Sequence, residues 1–205
     1  MFKSPDVLRF ANLTARRQLL LYAVLPLAYI VSGRLGLILA VPPGYATVIF
    51  LPAGIAVTAT FVAGGTALPG IFLGSFLLNL WIGHLMPNLT QIAAALVIAA
   101  GSMAQAAIGG TALRRMTGYR APFENDRVPF GNARDILVYL LLVPLLCLTS
   151  ATISLGGLWA LAAVELRDLP MNWTTWWLGD TLGVLLALPL MVVLAEYSQK
   201  DAYSR

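Results

Sequence analysis

The feature that most constrains this chain is a series of apolar stretches, several of which reach the length of a membrane-spanning helix. An α-helix needs about 20 predominantly apolar residues to cross roughly 30 Å of hydrocarbon. Of the 205 residues, 59% are hydrophobic and only 11% are charged, whereas about a quarter of the residues in a soluble domain are charged. No alternating pattern of the membrane β-barrel kind is present. The sequence therefore predicts an all-α, polytopic transmembrane helical bundle.

Breaks in the apolar pattern divide the chain into six segments. The first is predicted to end at the Pro42-Pro43-Gly44 sequence, because proline and glycine interrupt helices. The connection GGTAL, residues 64–68, is so short that helices 2 and 3 are predicted to form an antiparallel hairpin. The six predicted spanning helices cover residues 17–41, 46–63, 68–84, 89–113, 136–164 and 173–195.

The polar segments complete the predicted domain organisation. Residues 1–16 form a basic N-terminal segment, and residues 17–195 form the transmembrane domain, with a polar loop at 114–135. Residues 196–205 are a tail or a linker to an output domain. Six crossings place both ends of the chain on one side of the membrane.

The basic residues predict which side that is, because Lys and Arg are enriched in cytoplasmic segments. All but two of the 13 Lys and Arg residues fall on one face of the predicted topology, and the exceptions are Arg34 and Arg167. We therefore expect a multi-pass membrane protein with both termini in the cytoplasm. Because the basic residues flank apolar runs and are not interleaved with aromatics, no nucleic-acid partner is predicted.

Histidine and cysteine are too scarce for a metal site or a disulfide framework. His84 is the only histidine and Cys147 the only cysteine, so no metal and no cofactor are predicted. The same scarcity argues against a membrane enzyme that uses a cysteine with a histidine, because Cys147 falls in mid-helix and His84 at the outer edge. We predict no catalytic residues.

Two ionisable residues lie inside predicted spans, at similar depths. Arg34 precedes Pro42 by eight residues, which corresponds to roughly 12 Å along a helix, and Asp180 follows Trp173 by seven, roughly 10 Å. A lone charge at such a depth costs several kcal/mol, so charged residues in spans usually pair or face a wet cavity. The sequence predicts that Arg34 and Asp180 are partners.

Other polar or helix-opening residues fall in the same outer layer. They are Asn79, Ser150, Ser154, Pro52 and Gly54. Two interpretations stay open: a structural clasp without a ligand, or an outward-facing pocket for a small molecule from the periplasm. Ser102 and Gln105 are predicted to lie deeper, toward the cytoplasm, and to form interhelical hydrogen bonds.

The last predicted helix carries a second pattern beside Asp180. Gly179, Gly183 and Ala187 recur every four residues, a small-residue ridge that allows close approach of another helix. Trp176 and Trp177 are predicted to lie at the membrane interface, where indole rings are common.

Three segments together resemble a known family: FLPAGIA at 50–56, LPGIFLGSFLLNL at 68–80 and WWLGDTLGVLLALPL at 176–190. The chain resembles the first membrane-associated sensor family (MASE) over about residues 17–195. Phe50 departs from the family pattern, which has tryptophan there. Members are integral membrane sensors of bacterial histidine kinases and diguanylate cyclases, with cytoplasmic output domains.

The resemblance implies a sensory, ligand-binding input domain that passes a stimulus to a histidine kinase or a diguanylate cyclase, and the ten residues after Ala195 are too few for either. The implied partners are the lipid bilayer, a small molecule, a cytoplasmic output domain or partner protein, and a second copy in a homodimer. The alternative is the substrate-binding subunit of an energy-coupling-type transporter. Such subunits carry small residues at every fourth position of helix 1, where this chain offers Ala28 and Ser32.

Overall fold

A computed structural model describes residues 15–38, 47–82, 88–118 and 130–203, with side chains in 18–38, 47–82, 88–118 and 130–194. The regular elements of these residues are helical, which confirms the all-α prediction. They are α1 (Ala15–Ile38), α2 (Leu51–Ala63), α3 (Leu68–Ile82), α4 (Leu89–Thr117), α5 (Ala133–Ala160) and α6 (Leu169–Tyr203), with 3-10 turns at Gly64–Ala67 and Leu166–Asp168. The predicted stop at 42–44, His84, the segment 1–14 and residues 119–129 lie outside the described residues.

Side-chain caps fix the starts of α4 and α5. Asn88 accepts a hydrogen bond from the backbone N–H of Gln91, whose side chain accepts one from the Asn88 N–H, so α4 begins in a capping box. Asn132 caps α5 in a similar way through the N–H of Asp135. Gly118, in the left-handed conformation, ends α4. Compared with the prediction, α4 ends at Thr117 instead of residue 113, and α5 covers Ala133–Ala160 instead of 136–164.

Within the described residues, five helical stretches are long and apolar enough to cross a membrane: Gln18–Ile38, Leu51–Ile82, Leu89–Thr117, Ala133–Ala160 and Leu166–Leu194. The second stretch contains both α2 and α3, which have 13 and 15 residues and so fall short of the roughly 20 residues of a straight crossing. Gly64, with a φ of 67°, breaks the helix between them. Six crossings and the side on which the termini lie therefore stay predictions.

The helices pack in two rows of three, α3–α4–α5 over α1–α2–α6. Two apolar cores result, one among α1, α2, α3 and α4 and the other among α2, α4, α5 and α6. Helices α1 and α4 each pack against both α2 and α3. As a result, α2 and α3 make few direct contacts with each other. The predicted packing of helices 2 and 3 as a hairpin is therefore wrong.

Glycines set the closest approaches between neighbouring helices. Gly70 of α3 packs on Leu25 of α1. One turn later Gly74 packs on Tyr29, so α1 and α3 run in the same direction. In α4, a Cβ on Gly110 would come within 2.7 Å of Thr60 Cβ on α2. The helices are thus held closer than larger side chains would allow.

The closest glycine contact among the described residues joins α6 to the non-helical segment 47–50 before α2. A Cβ on Gly179 would overlap the backbone oxygen of Thr47, and a Cβ on Gly183 would overlap that of Phe50. The Phe50 N–H donates a 2.9 Å hydrogen bond to the Gly179 carbonyl. Gly54 of α2 then packs on Gly183 and Ala187. The small-residue ridge of α6 therefore seats both the segment 47–50 and the start of α2.

We expect Gly183→Ala to destabilise the fold, because its methyl group would meet backbone that cannot rotate away. Overpacking of this kind costs about 1–3 kcal/mol, against a gain of about 0.5–1 kcal/mol from replacing glycine in a helix. The midpoint of unfolding in a titration with sodium dodecyl sulfate measures the net loss.

Gly156→Ala is the matched control, since a Cβ at Gly156 of α5 has no neighbour within 4 Å. That substitution should leave the midpoint unchanged or raise it. Equal midpoints for the two variants would contradict the assigned contact.

Candidate functional site

A buried carboxyl lies in the middle of the described bundle. Asp180, on the stripe of α6 next to the glycine ridge, is 2% exposed. Gln105 of α4 and Ser150 of α5 lie within side-chain hydrogen-bonding reach of this carboxyl. Its Oδ1 atom nevertheless has no hydrogen-bond partner among the described residues. A carboxyl with one unpaired oxygen can accept a hydrogen bond or hold a cation.

A second polar cluster connects three helices at the same level. The hydroxyl of Tyr29 on α1 donates to Ser102 Oγ on α4 over 3.2 Å, and Ser75 of α3 donates to the same Oγ over 3.2 Å. Tyr29 is 1% exposed and Ser75 is fully buried. The serines and this tyrosine satisfy one another inside apolar surroundings, as buried polar groups must.

Between the two clusters lies a pocket with a volume of about 50 Å³. Because one water needs roughly 10–15 Å³ by this measure, the pocket holds several waters or a group of a few atoms. Its wall combines polar groups with aromatic rings. The described lining residues are Leu37, Thr47, Phe50, Leu78, Asn79, Ile82, Ile98, Ser102, Trp176, Gly179 and Asp180.

Arg34 does not pair with Asp180, so the ion pair predicted from depth is wrong. The Arg34 side chain is exposed and its guanidinium lies over the Trp81 ring, 4.7 Å from the centroid. Asp180, in contrast, points into the interior. Depth along a helix fixes height in the bilayer but not the face on which a side chain emerges, and the two residues face different surroundings at similar heights.

Asn79 and Trp176 are the predicted site residues that line the pocket together with Asp180. The Asn79 amide donates to the Ser75 carbonyl over 2.8 Å, which anchors it on α3. Trp177 instead turns to α5, where its Nε1 donates to the Pro144 carbonyl over 2.7 Å. Adjacent tryptophans therefore have different surroundings.

The remaining predicted site residues do not line the pocket. Ser150 lies beside the Asp180 carboxyl, and the others belong to helix contacts. Ser154 is fully buried, its Oγ without a hydrogen-bond partner among the described residues, at the contact of α5 with Gly101 of α4. Pro52 occupies the first turn of α2, where its missing N–H costs nothing. Gly54 is held against α6, so it opens no cavity.

Sequence reasoning missed several residues of the site. Tyr29 and Ser75 were not predicted as site residues because they carry no charge. Thr47 was not predicted because its segment was expected to be helical. Ser102 was placed too deep, because it lies on the pocket wall. A tyrosine in mid-span was the available signal, since its hydroxyl requires a buried partner.

Double-mutant cycles that measure the free energy of unfolding test whether Arg34 and Asp180 interact. Arg34→Gln and Asp180→Asn should be additive within about 0.5 kcal/mol, because the residues share no contact. Arg34→Gln and Trp81→Leu should show a coupling of about 0.5–1 kcal/mol from the lost cation–π contact. A larger coupling in the first cycle than in the second would restore the ion pair.

A comparison with protein families supports the resemblance carried by the three sequence motifs. The family model MASE1 matches residues 19–205, nearly the whole chain, which confirms the resemblance predicted from the sequence. No curated protein and no solved structure matches the chain. MASE1 domains are membrane sensory input domains, not catalytic ones, and the apolar helices support a multi-pass membrane protein. The chain belongs to the MASE1 family.

Proposed function

We propose that this chain is the sensory input module of a bacterial signalling protein, in which a stimulus reaching the pocket alters the output of a cytoplasmic histidine kinase or diguanylate cyclase. The observation that carries the proposal is that Asp180, the buried acid of the pocket, is part of the same unbroken helix that leaves the bundle. The sensed group and the outgoing element therefore belong to one continuous helix, with Pro189 between them.

The length of α6 supports this route. In the sequence the apolar run ends at Ala195, whereas the helix continues to Tyr203. At 1.5 Å per residue, Tyr203 lies roughly 35 Å along the helix from Asp180. A shift or rotation of α6 at the pocket would thus reach the cytoplasmic side without an intervening loop.

The segment 47–50 supplies a second element that could move relative to α6. Phe50 lines the pocket and is tied to α6 through its hydrogen bond to Gly179. A ligand shifts an equilibrium only by binding two states with different affinity. A ligand that binds Asp180 and displaces Phe50 would have different affinities for the two states, because it acts on both α6 and the segment 47–50.

The membrane arrangement is part of the proposal. The distribution of Lys and Arg supports both termini in the cytoplasm of a bacterial inner membrane. Large side chains on the outside of α6, among them Leu182, Leu186 and Leu190, are exposed. They would face lipid or a second copy of the chain in a homodimer.

Fusion of the chain through its C-terminus to a diguanylate cyclase domain tests the proposal. We expect Asp180→Asn to change cyclase output by a factor in the range of ordinary allosteric coupling, roughly 5- to 150-fold. The neutral amide keeps the volume of the side chain but alters its charge and hydrogen bonding. Cyclic di-GMP formation in membranes gives the readout.

Ile108→Ala, at an exposed position of α4 that does not line the pocket, is the matched control and should leave the output near that of the unmodified fusion. Protein levels are equalised by in-gel fluorescence of a tag. Unchanged output in Asp180→Asn, at equal abundance, would remove the support for a signalling role of this site.

A further inference from the structure

The unpaired Oδ1 of Asp180 restricts what the pocket can bind. Asp180 is 2% exposed, and it lines the pocket. Oδ1 has no hydrogen-bond partner among the described residues. A hydrogen-bond donor or a positive charge in the pocket would offset the cost of this acid, since an unpaired polar group in an apolar interior is costly.

The charges of the wall favour a cation. Asp180 is the one acidic or basic side chain among the described residues that line the pocket. Arg34, the nearest arginine in height, is exposed and engaged with Trp81. A carboxyl in a membrane interior either takes up a proton or binds a compensating positive charge, and the described residues place no basic side chain on the pocket wall.

Aromatic rings on the wall suit the same occupant. Phe50 and Trp176 both line the pocket with Asp180. The face of an aromatic ring attracts a cation, and tryptophan does so most strongly. Together with the polar side chains of Thr47, Asn79 and Ser102, these rings provide acceptors and a negative electrostatic potential around one carboxyl oxygen.

We propose that this pocket binds a small cation with N–H donors, namely ammonium or a short protonated primary amine, in contact with Asp180. The volume of about 50 Å³ limits the occupant to a few non-hydrogen atoms. This inference deepens the proposed function of the same site by naming the class of ligand.

Thermal unfolding of the purified full chain in detergent tests the proposal, with methylammonium chloride as the probe. Ionic strength is held constant with N-methylglucamine chloride, whose cation is too large for the pocket. Methylammonium should raise the unfolding temperature with saturation, because a ligand that binds the folded state stabilises it. Methanol, sodium chloride and tetramethylammonium chloride should not.

Variants locate the site. Asp180→Asn should abolish the methylammonium effect, whereas Asp135→Asn, which alters another buried acid that is paired with Asn132, should retain it. Trp176→Leu should weaken the apparent affinity roughly threefold to thirtyfold through the lost cation–π contact. If Asp180→Asn fails to fold, Trp176→Leu and Phe50→Leu carry the test in its place.

The proposal is overturned if methylammonium has no saturable effect, if methanol matches it, or if sodium stabilises equally. The last result would identify an alkali-cation site. The cyclase fusion separates this failure from that of the proposed function: altered output in Asp180→Asn without amine binding would leave the sensory role standing and remove only the ligand class.

Discussion

The contact on which the rest of the structure depends is the direct approach of backbone to backbone between α6 and the segment 47–50. Gly179 and Gly183 leave no room for a side chain against the oxygens of Thr47 and Phe50. A lipid environment provides no hydrophobic force between helices, so their association relies on such close packing and on buried hydrogen bonds. This contact places Asp180, the neighbour of Gly179, on the inner side of α6 and brings Phe50 to the wall of the pocket.

Around that contact, polar groups are distributed so that all but a few are satisfied. Tyr29, Ser75 and Ser102 pair among three helices, whereas Asp180 retains one unpaired oxygen. Buried polar atoms without partners are rare in folded proteins, and each requires an explanation. Here the residue lines a cavity, and an occupant of that cavity explains a buried acid at this position better than packing does, because packing would have favoured an apolar side chain.

The failed prediction of an Arg34–Asp180 pair identifies a limit of reasoning from depth. Residue counts along a helix gave comparable heights, but the side chains emerge on different faces, and the Trp81 ring on α3 supplies an alternative partner for the guanidinium. The hairpin predicted for helices 2 and 3 failed for a related reason. A short connection requires nearby ends, yet it does not require the helices to touch along their length, and α1 and α4 pack against both.

The sequence by itself determined the all-helical class, the membrane environment, the family and the small-residue ridge of α6, because hydrophobic length, composition and four-residue spacing are local properties of the chain. The tertiary structure alone decided which residues meet: Tyr29 with Ser102, Trp177 with Pro144, and Asp180 with a pocket instead of an arginine. Such meetings depend on the rotation of each helix about its axis. That rotation is set by the simultaneous packing of all neighbouring helices, which no single segment encodes.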